Sequence, residues 1–312
     1  MPILSNLATA LIYLRHPSLS GRQRYYLRFY YRGKIHNAKE LLNDRVFRRP
    51  YKSISYGSEF APELKFVLPH AYWHYKNGTL RSTVSRADTK CFYYFSPEHR
   101  EVDGKREWLD YQFDPSIPNS HDHCTVYDFS RWAAVPLKQH YADRKIIFEK
   151  PTLVVSNKYN SEWGGSPQNY LSLDELEHLF QVYSEKYSIV YVRPGYTDIV
   201  QDNSDVLDLS EAPILKKYPS VRSIQSIHRE SPKASFNELQ IRVYAGCERF
   251  VSVQGGNSVL ASYFGGTSII YAVSGLEIEM GEYHTIFPRL SGANIVHVDK
   301  FDSLRESMRK HF

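Results

Sequence analysis

The sequence predicts a two-domain α/β protein whose second half is a doubly wound parallel sheet. Two observations carry this. From Thr152 onward, short apolar runs rich in β-branched residues alternate with stretches of helical periodicity. Within that half, residues 249–272 form one complete unit: the run Arg249 to Val253, the turn Gln254-Gly255-Gly256-Asn257-Ser258, a small-residue segment to Phe264, then Gly265-Gly266 and a second apolar run to Ala272. A double glycine lets backbone approach a ligand closely, Asn257 or Ser258 is placed to cap the following helix, and Gly265-Gly266 ends it. A turn that opens on unpaired N–H groups at a helix start suits an anion such as a pyrophosphate.

The other elements of this half follow in order. Thr152 to Ser156 is a strand. Ser172-Leu-Asp-Glu175 is a capping box, and Leu173, Leu176, Leu179, Phe180, Tyr183 and Tyr187 continue as a helical stripe. Ile189 to Val192 is the next strand, broken by Arg193-Pro194-Gly195. Asp205 to Leu209 and Val221 to Ile227 are weaker strand candidates. Ser235-Phe-Asn-Glu238 opens a helix to about Ala245, and the strand Asn294 to Val298 precedes a terminal helix from about Phe301.

The first half, residues 1–150, reads as a less regular α/β domain. Ser5 to Arg15 suggests a helix; Lys65 to His70, Thr79 to Ser85 and Cys91 to Phe95 suggest strands, with Asn77-Gly78 as the turn between the first two. The domain boundary is expected near Lys150-Pro151, giving an acceptor-side domain over 1–150 and a nucleotide-binding domain over 151–312.

At 42% hydrophobic and 23% charged residues the chain is globular rather than disordered. No apolar stretch approaches the length of a membrane span, and the first residues lack a basic leader. Three widely spaced cysteines, Cys91, Cys124 and Cys247, point away from a disulfide framework and toward the cytoplasm. The net charge of +5 is uneven. Residues 1–60 hold eleven Lys or Arg against Glu40, Asp44 and Glu59, and the remainder is net acidic. Arg22 to Lys34 interleaves cations with aromatics, as a helix with an aromatic core side does, or as a surface for an anionic membrane, an anionic acceptor or nucleic acid does.

A parallel α/β sheet binds ligands beyond the carboxyl ends of its strands, where strand order reverses. The residues that follow the strands are Asn157 and Lys158, then Arg193 and Gly195, then Asn237 at a helix start, then Gln254, Gly255, Gly256, Asn257 and Ser258. Each alone reads first as a loop group bonded to its own turn; together they supply cations, amides and backbone N–H for a nucleotide diphosphate. No Gly-x-Gly-x-x-Gly follows the first strand, no phosphate loop of the Gly-Lys-Ser/Thr type occurs, and there is no nucleophile elbow. Asp-x-Asp is missing, so no metal-held diphosphate is expected, and His121-Asp122-His123-Cys124 lacks the second cluster a metal site needs.

The turn Gln254 to Ser258, the helix to Phe264 and Gly265-Gly266-Thr-Ser-Ile-Ile-Tyr resemble the corresponding element in the donor-binding domain of GT-B glycosyltransferases, over roughly the second half of the chain. The resemblance implies a two-domain GT-B-like fold and a nucleotide-sugar donor whose phosphates lie against this turn. It also implies an N-terminal Rossmann-like domain, which residues 1–150 fit poorly. Retaining members carry a pair of glutamates eight residues apart here; Gln254 and Ser262 stand in those places, so inversion is expected.

Inversion needs a general base for the acceptor hydroxyl. The loop Pro118 to His123 nominates Asp122 or His123. The expected protein is thus a metal-independent, inverting glycosyltransferase, cytoplasmic and peripheral at a membrane, with no cofactor. Its acceptor would be a glycan or lipid-linked glycan, with residues 15–52 against an anionic membrane surface. A nucleic-acid or polyanion-binding protein, a catalytically silent sugar binder and a nucleotide-sugar epimerase are the alternatives.

Overall fold

The computed structural model describes residues 10–106, 114, 116–119, 126–162, 165–193 and 206–312. The second half is built on six parallel strands: β4 (Thr152–Ser156), β5 (Ser188–Val192), β6 (Arg222–Ser223), β7 (Arg249–Val253), β8 (Thr267–Tyr271) and β9 (Asn294–Val298). Their order is β6-β5-β4-β7-β8-β9, and every neighbouring pair is parallel. The chain therefore steps outward from β4 through β5 to β6, then returns to place β7 on the other side of β4.

Alternation along these strands sorts the core into two layers. Leu153, Val155, Ile189, Tyr191, Val251, Val253, Ile269 and Tyr271 pack with the Leu173–Tyr183 helix and the terminal Phe301–His311 helix. Val154, Val190, Val192, Phe250 and Ile270 face the other way, onto the Phe236–Ala245 and Gly256–Ala261 helices. Strands apolar on both faces are what a sheet covered on both sides requires.

The first half holds a second parallel sheet, of three strands among the described residues: β1 (Lys52–Ser55), β2 (Leu80–Arg86) and β3 (His99–Val102), in that order. Its core (Ile54, Phe66, Leu68, Leu80, Phe92, Phe95) is continuous with the second layer above. Several polar contacts join the halves, including these three. Lys65 Nζ meets Glu282 Oε2 at 2.7 Å with both groups buried, the Tyr263 hydroxyl donates to the Leu64 carbonyl at 2.6 Å, and the Asn237 backbone N–H donates to Asp88 Oδ2 at 2.8 Å.

Several local expectations are corrected. Lys65 to His70 is no strand but the end of a π-helical turn, Glu63–Val67, and the start of the helix Leu68–Lys76. An apolar run buried on all sides has no period to betray its type, and Pro69 falls in the first turn, where a missing N–H costs nothing. Asn77-Gly78 accordingly turns a helix into β2 rather than joining a hairpin. Cys91 to Phe95 is a buried turn. Of Val221 to Ile227 only Arg222–Ser223 pairs in the sheet, because Ser223 caps a helix from Ile224 by accepting from the Ser226 N–H. Val206 makes one isolated bridge with Asn160. Helix is described over residues 10–15 of the predicted Ser5 to Arg15 segment.

Ser172 and Ser235 do cap their helices, accepting from the Glu175 and Glu238 N–H groups. The Glu175 side chain, however, turns to Arg305, with a closest contact of 2.6 Å. The reciprocal capping box forms instead between Ser20 and Gln23, at the head of the 22-residue helix Gly21–Leu42. No helix among the described residues is long and apolar enough to cross a membrane.

Candidate functional site at the strand-order reversal

The reversal between β4 and β7 opens a crevice at their carboxyl ends, where the two neighbouring connections leave in opposite directions. Asn157 and Lys158 leave β4 on one side; Gln254, Gly255 and Gly256 leave β7 on the other. Asn157 is buried and structural: its Nδ2 donates to the Leu171 carbonyl at 3.0 Å, and its Oδ1 accepts from the Leu171 and Lys158 N–H groups at 2.9 Å each. It fixes the direction of Lys158. The Lys158 side chain lies over the glycine turn, with Cδ and Nζ each 3.9 Å from where a Gly255 Cβ would stand. Gly255 has φ +130°, a conformation that strains other residues.

Beneath the turn runs a buried polar chain. Lys158 Nζ is 2.5 Å from Glu162 Oε1. Asn169 Nδ2 donates to Glu162 Oε2 at 3.1 Å, to Gln254 Oε1 at 2.5 Å and to the Ser274 carbonyl at 3.0 Å. Gln254 Nε2 then donates to Glu277 Oε2. Gly275, at φ +132°, presses against the Gln254 amide, leaving no room for a side chain there. The loops after β4, β7 and β8 are thus tied into one rigid rim.

The rim offers hydrogen-bond donors. Among the described residues no hydrogen bond satisfies the backbone N–H of Gly255, Gly256 or Asn257. The predicted cap is corrected: Gly255 is the N-cap without a side-chain bond, and Asn257 and Ser258 sit inside the first turn. Asn257 Oδ1 accepts from Gln240 Nε2 at 3.0 Å, and Ser258 Oγ donates back to the Gly255 carbonyl at 2.7 Å. The helix spans only six residues, so its dipole adds little and the donors act as individual groups. Phe60 closes the crevice from the first half; its ring lies 2.7 Å from the position a Gly256 Cβ would take. Deeper in, the Tyr244 hydroxyl hydrogen-bonds Ser156 and Gln240, and burial pushes its pKa up to about 12.

Of the residues nominated from sequence, the structure brings Asn157, Lys158, Gln254, Gly255, Gly256, Asn257 and Ser258 together. Arg193 is committed elsewhere. Its buried guanidinium pairs with Glu211 at 2.5 Å and donates to the Leu207 carbonyl. Asn237 is held by Asp88 through its backbone N–H and through Nδ2, which donates to the Asp88 carbonyl at 2.7 Å. Burial raises the Asp88 pKa, against hydrogen bonds from Ser235 and Asn237. Asp122, His123 and Gly195 lie outside the described residues. No cluster of three or more His, Cys, Asp or Glu among the described residues is arranged to hold a metal ion. Sequence reasoning passed over Glu162, Asn169, Glu277 and Phe60; Glu162 lay within a loop already singled out, but nothing local marked it.

The sequence matches no protein-family model and no curated protein. Solved structures similar to the chain include a family 9 glycosyl transferase from Veillonella parvula, at 11% identity and a TM-score of 0.46, covering 85% of this chain and 91% of that one. The ADP-heptose LPS heptosyltransferase II of E. coli is similar at 10% identity and a TM-score of 0.49, covering 83% and 98%. The wall teichoic acid polymerase TagF is similar at 11% identity and 0.35, covering 98% and 89%.

Proposed function

We propose that the chain is a nucleotide-sugar-dependent glycosyltransferase whose donor diphosphate binds in the crevice between β4 and β7. The observation that carries the reading is the co-location, at the strand-order reversal, of Lys158, the Gly255 turn and the unsatisfied N–H groups of Gly255, Gly256 and Asn257. The resemblance of residues 254–271 to the GT-B donor element supports it. In this reading the departing diphosphate gains charge as the glycosidic bond breaks, and Lys158 with the turn amides takes up that charge without a metal ion. Asn169 and Gln254 hold the turn rigid. The acceptor hydroxyl attacks from the side of the first half and loses its proton to Asp122 or His123, giving inversion at the anomeric carbon. The acceptor is a glycan or a lipid-linked glycan, the latter presented at the cytoplasmic face of a membrane.

Thermal unfolding in the presence of UDP, GDP, CMP, ADP and dTDP, with and without chelator, tests the donor site. A ligand at about 100 times its Kd raises stability by roughly 2.7 kcal/mol. One nucleotide should stabilise the protein whether or not chelator is present, and Lys158→Met should cut the shift to about half or less. The absence of any shift removes the transferase reading. Isomerisation of the nucleotide sugar in the absence of any acceptor favours an epimerase. Asp122→Asn and His123→Gln should leave the nucleotide shift intact while one of them abolishes transfer.

A further inference from the structure

The last turns of the Gly21–Leu42 helix are built inside out. A helix on a globular protein buries its apolar stripe and exposes its charges. Here the inward stripe is Gly33, Asn37, Glu40 and Asp44. Glu40 Oε1 accepts from Lys52 Nζ at 2.9 Å, and the Asp44 carboxylate pairs with Arg131 and accepts from the Tyr51 hydroxyl at 2.5 Å. The opposite face, half a turn away, presents Ile35, Ala38, Leu42 and Val46 to solvent, with Ile35 62%, Leu42 56% and Val46 65% exposed. Phe47, 53% exposed, continues it through the π-helical turn Asn43–Phe47. Around this aliphatic face stand Lys39, Arg45, Arg48 and Arg49, all exposed and, among the described residues, in no ion pair. Both acids of the segment are turned inward, so every exposed charge of the tip is positive.

We propose that this tip, from Ile35 to Arg49, is a membrane-docking surface. It would lie in the interface of an anionic bilayer, with Ile35, Leu42, Val46 and Phe47 entering the acyl boundary and the four cations at the phosphate level. The chemistry selects this occupant over others. A second copy of the chain would bring like charges together. A nucleic acid would be met by cations and by stacking or amide side chains, and gains nothing from a solvent-facing row of Ile, Leu and Val. Lipid uses both halves of the pattern. The inference takes from the transferase reading only that the acceptor side works at a membrane; its test reads lipid binding, and nucleotide binding reports separately.

The test is co-sedimentation of the full chain with phosphatidylcholine vesicles, with and without about a third of phosphatidylglycerol. The anionic vesicles should bind at least roughly tenfold more protein than the neutral ones. Two variants dissect the surface. Ile35→Ser/Leu42→Ser/Val46→Ser removes the aliphatic face, and Arg45→Glu/Arg48→Glu/Arg49→Glu reverses the cations. Each should lower partition about tenfold while the thermal transition and any nucleotide shift stay as in the parent. Binding that survives the serine variant and is lost only in the glutamate variant would make the tip a general polyanion surface and overturn the proposal. So would equal binding to neutral vesicles, or none to either.

Discussion

Lys158 Nζ stands 2.5 Å from Glu162 Oε1 beside the Gly255 turn, so the cation best placed for a diphosphate is already held by a carboxylate. A bound diphosphate has to compete with Glu162 for it. Glu162→Gln therefore should strengthen nucleoside diphosphate binding, by roughly twofold to fivefold, since a partly exposed pair is worth up to about 1 kcal/mol. Lys158→Met should weaken it by at least about tenfold. Titration calorimetry with the stabilising nucleotide reads both. Indifference of affinity to Glu162→Gln would mean that Lys158 does not meet the phosphates.

The buried pair Lys65–Glu282 joins the two halves. Both groups are almost wholly shielded from water, and Tyr127 also donates to Glu282 Oε1 at 3.2 Å, so removing the ammonium takes away one of several groups that balance a buried carboxylate. Lys65→Met should cost about 3–5 kcal/mol in urea unfolding. The double variant Lys65→Met/Glu282→Leu should recover part of that loss, because the buried carboxylate goes together with its cation. A double variant as unstable as the single one would show that the pair's hydrogen bonds, not its charges, hold the halves.

What the sequence revealed and what it hid follow the range of the interactions involved. The strands of the second half were legible because each is a short, apolar, β-branched run between breakers, and burial on both faces demands just that. The crevice was half legible. Asn157, Lys158 and the Gln254 to Ser258 turn follow directly from strand ends. Glu162, Asn169 and Glu277 gain their roles only when three loops meet, and Asn169 touches partners 85 and 105 residues away. Arg193 looked available because its partner, Glu211, stands 18 residues on in an unpatterned stretch. The basic, aromatic run Arg22 to Lys34 was plain to read, but the inverted burial of the turns that follow it was not. Glu40 and Asp44 turn inward because Lys52 and Arg131 wait there, and Arg131 is distant in sequence.

Gly266 and Gly281 separate two costs that are usually confounded. Their φ values are nearly equal, +65° and +68°. A Cβ at Gly281 would meet nothing within 4 Å, whereas one at Gly266 would lie 2.2 Å from the Glu248 carbonyl oxygen, which is backbone and cannot swing aside. That same carbonyl accepts the Thr267 N–H at 2.9 Å, at the start of the β7–β8 pairing. Gly281→Ala should cost only the left-handed strain, about 1 kcal/mol. Gly266→Ala should cost at least about 2 kcal/mol more, since the overlap forces the strand apart. Chemical unfolding of the two variants side by side tests this; equal losses would place no weight on the clash.

Acid should destabilise the first half through His70. Its ring is wholly buried on the Leu68–Lys76 helix, with Nδ1 3.0 Å from the Arg131 carbonyl. Burial first, and then the nearby Lys52 and Arg131 charges, hold its pKa down to about 3, against the hydrogen bond to Arg131 and the pull of Asp114. His74, with its ring centroid 4.6 Å away, is depressed in the same direction by burial and by His70 itself. In the unfolded chain such a ring takes its proton near pH 6.5. The unfolded state therefore binds more protons than the folded one between about pH 6.5 and pH 3, and stability falls as pH drops through that window. It is fully present above it. From His70 alone, unfolding free energy should be roughly 3 kcal/mol lower at pH 4 than at pH 8. His70→Gln should be less stable at pH 8 yet show a pH dependence flatter by about that amount. A variant whose decline between pH 8 and pH 4 matches the parent would assign the acid sensitivity to the carboxylates instead.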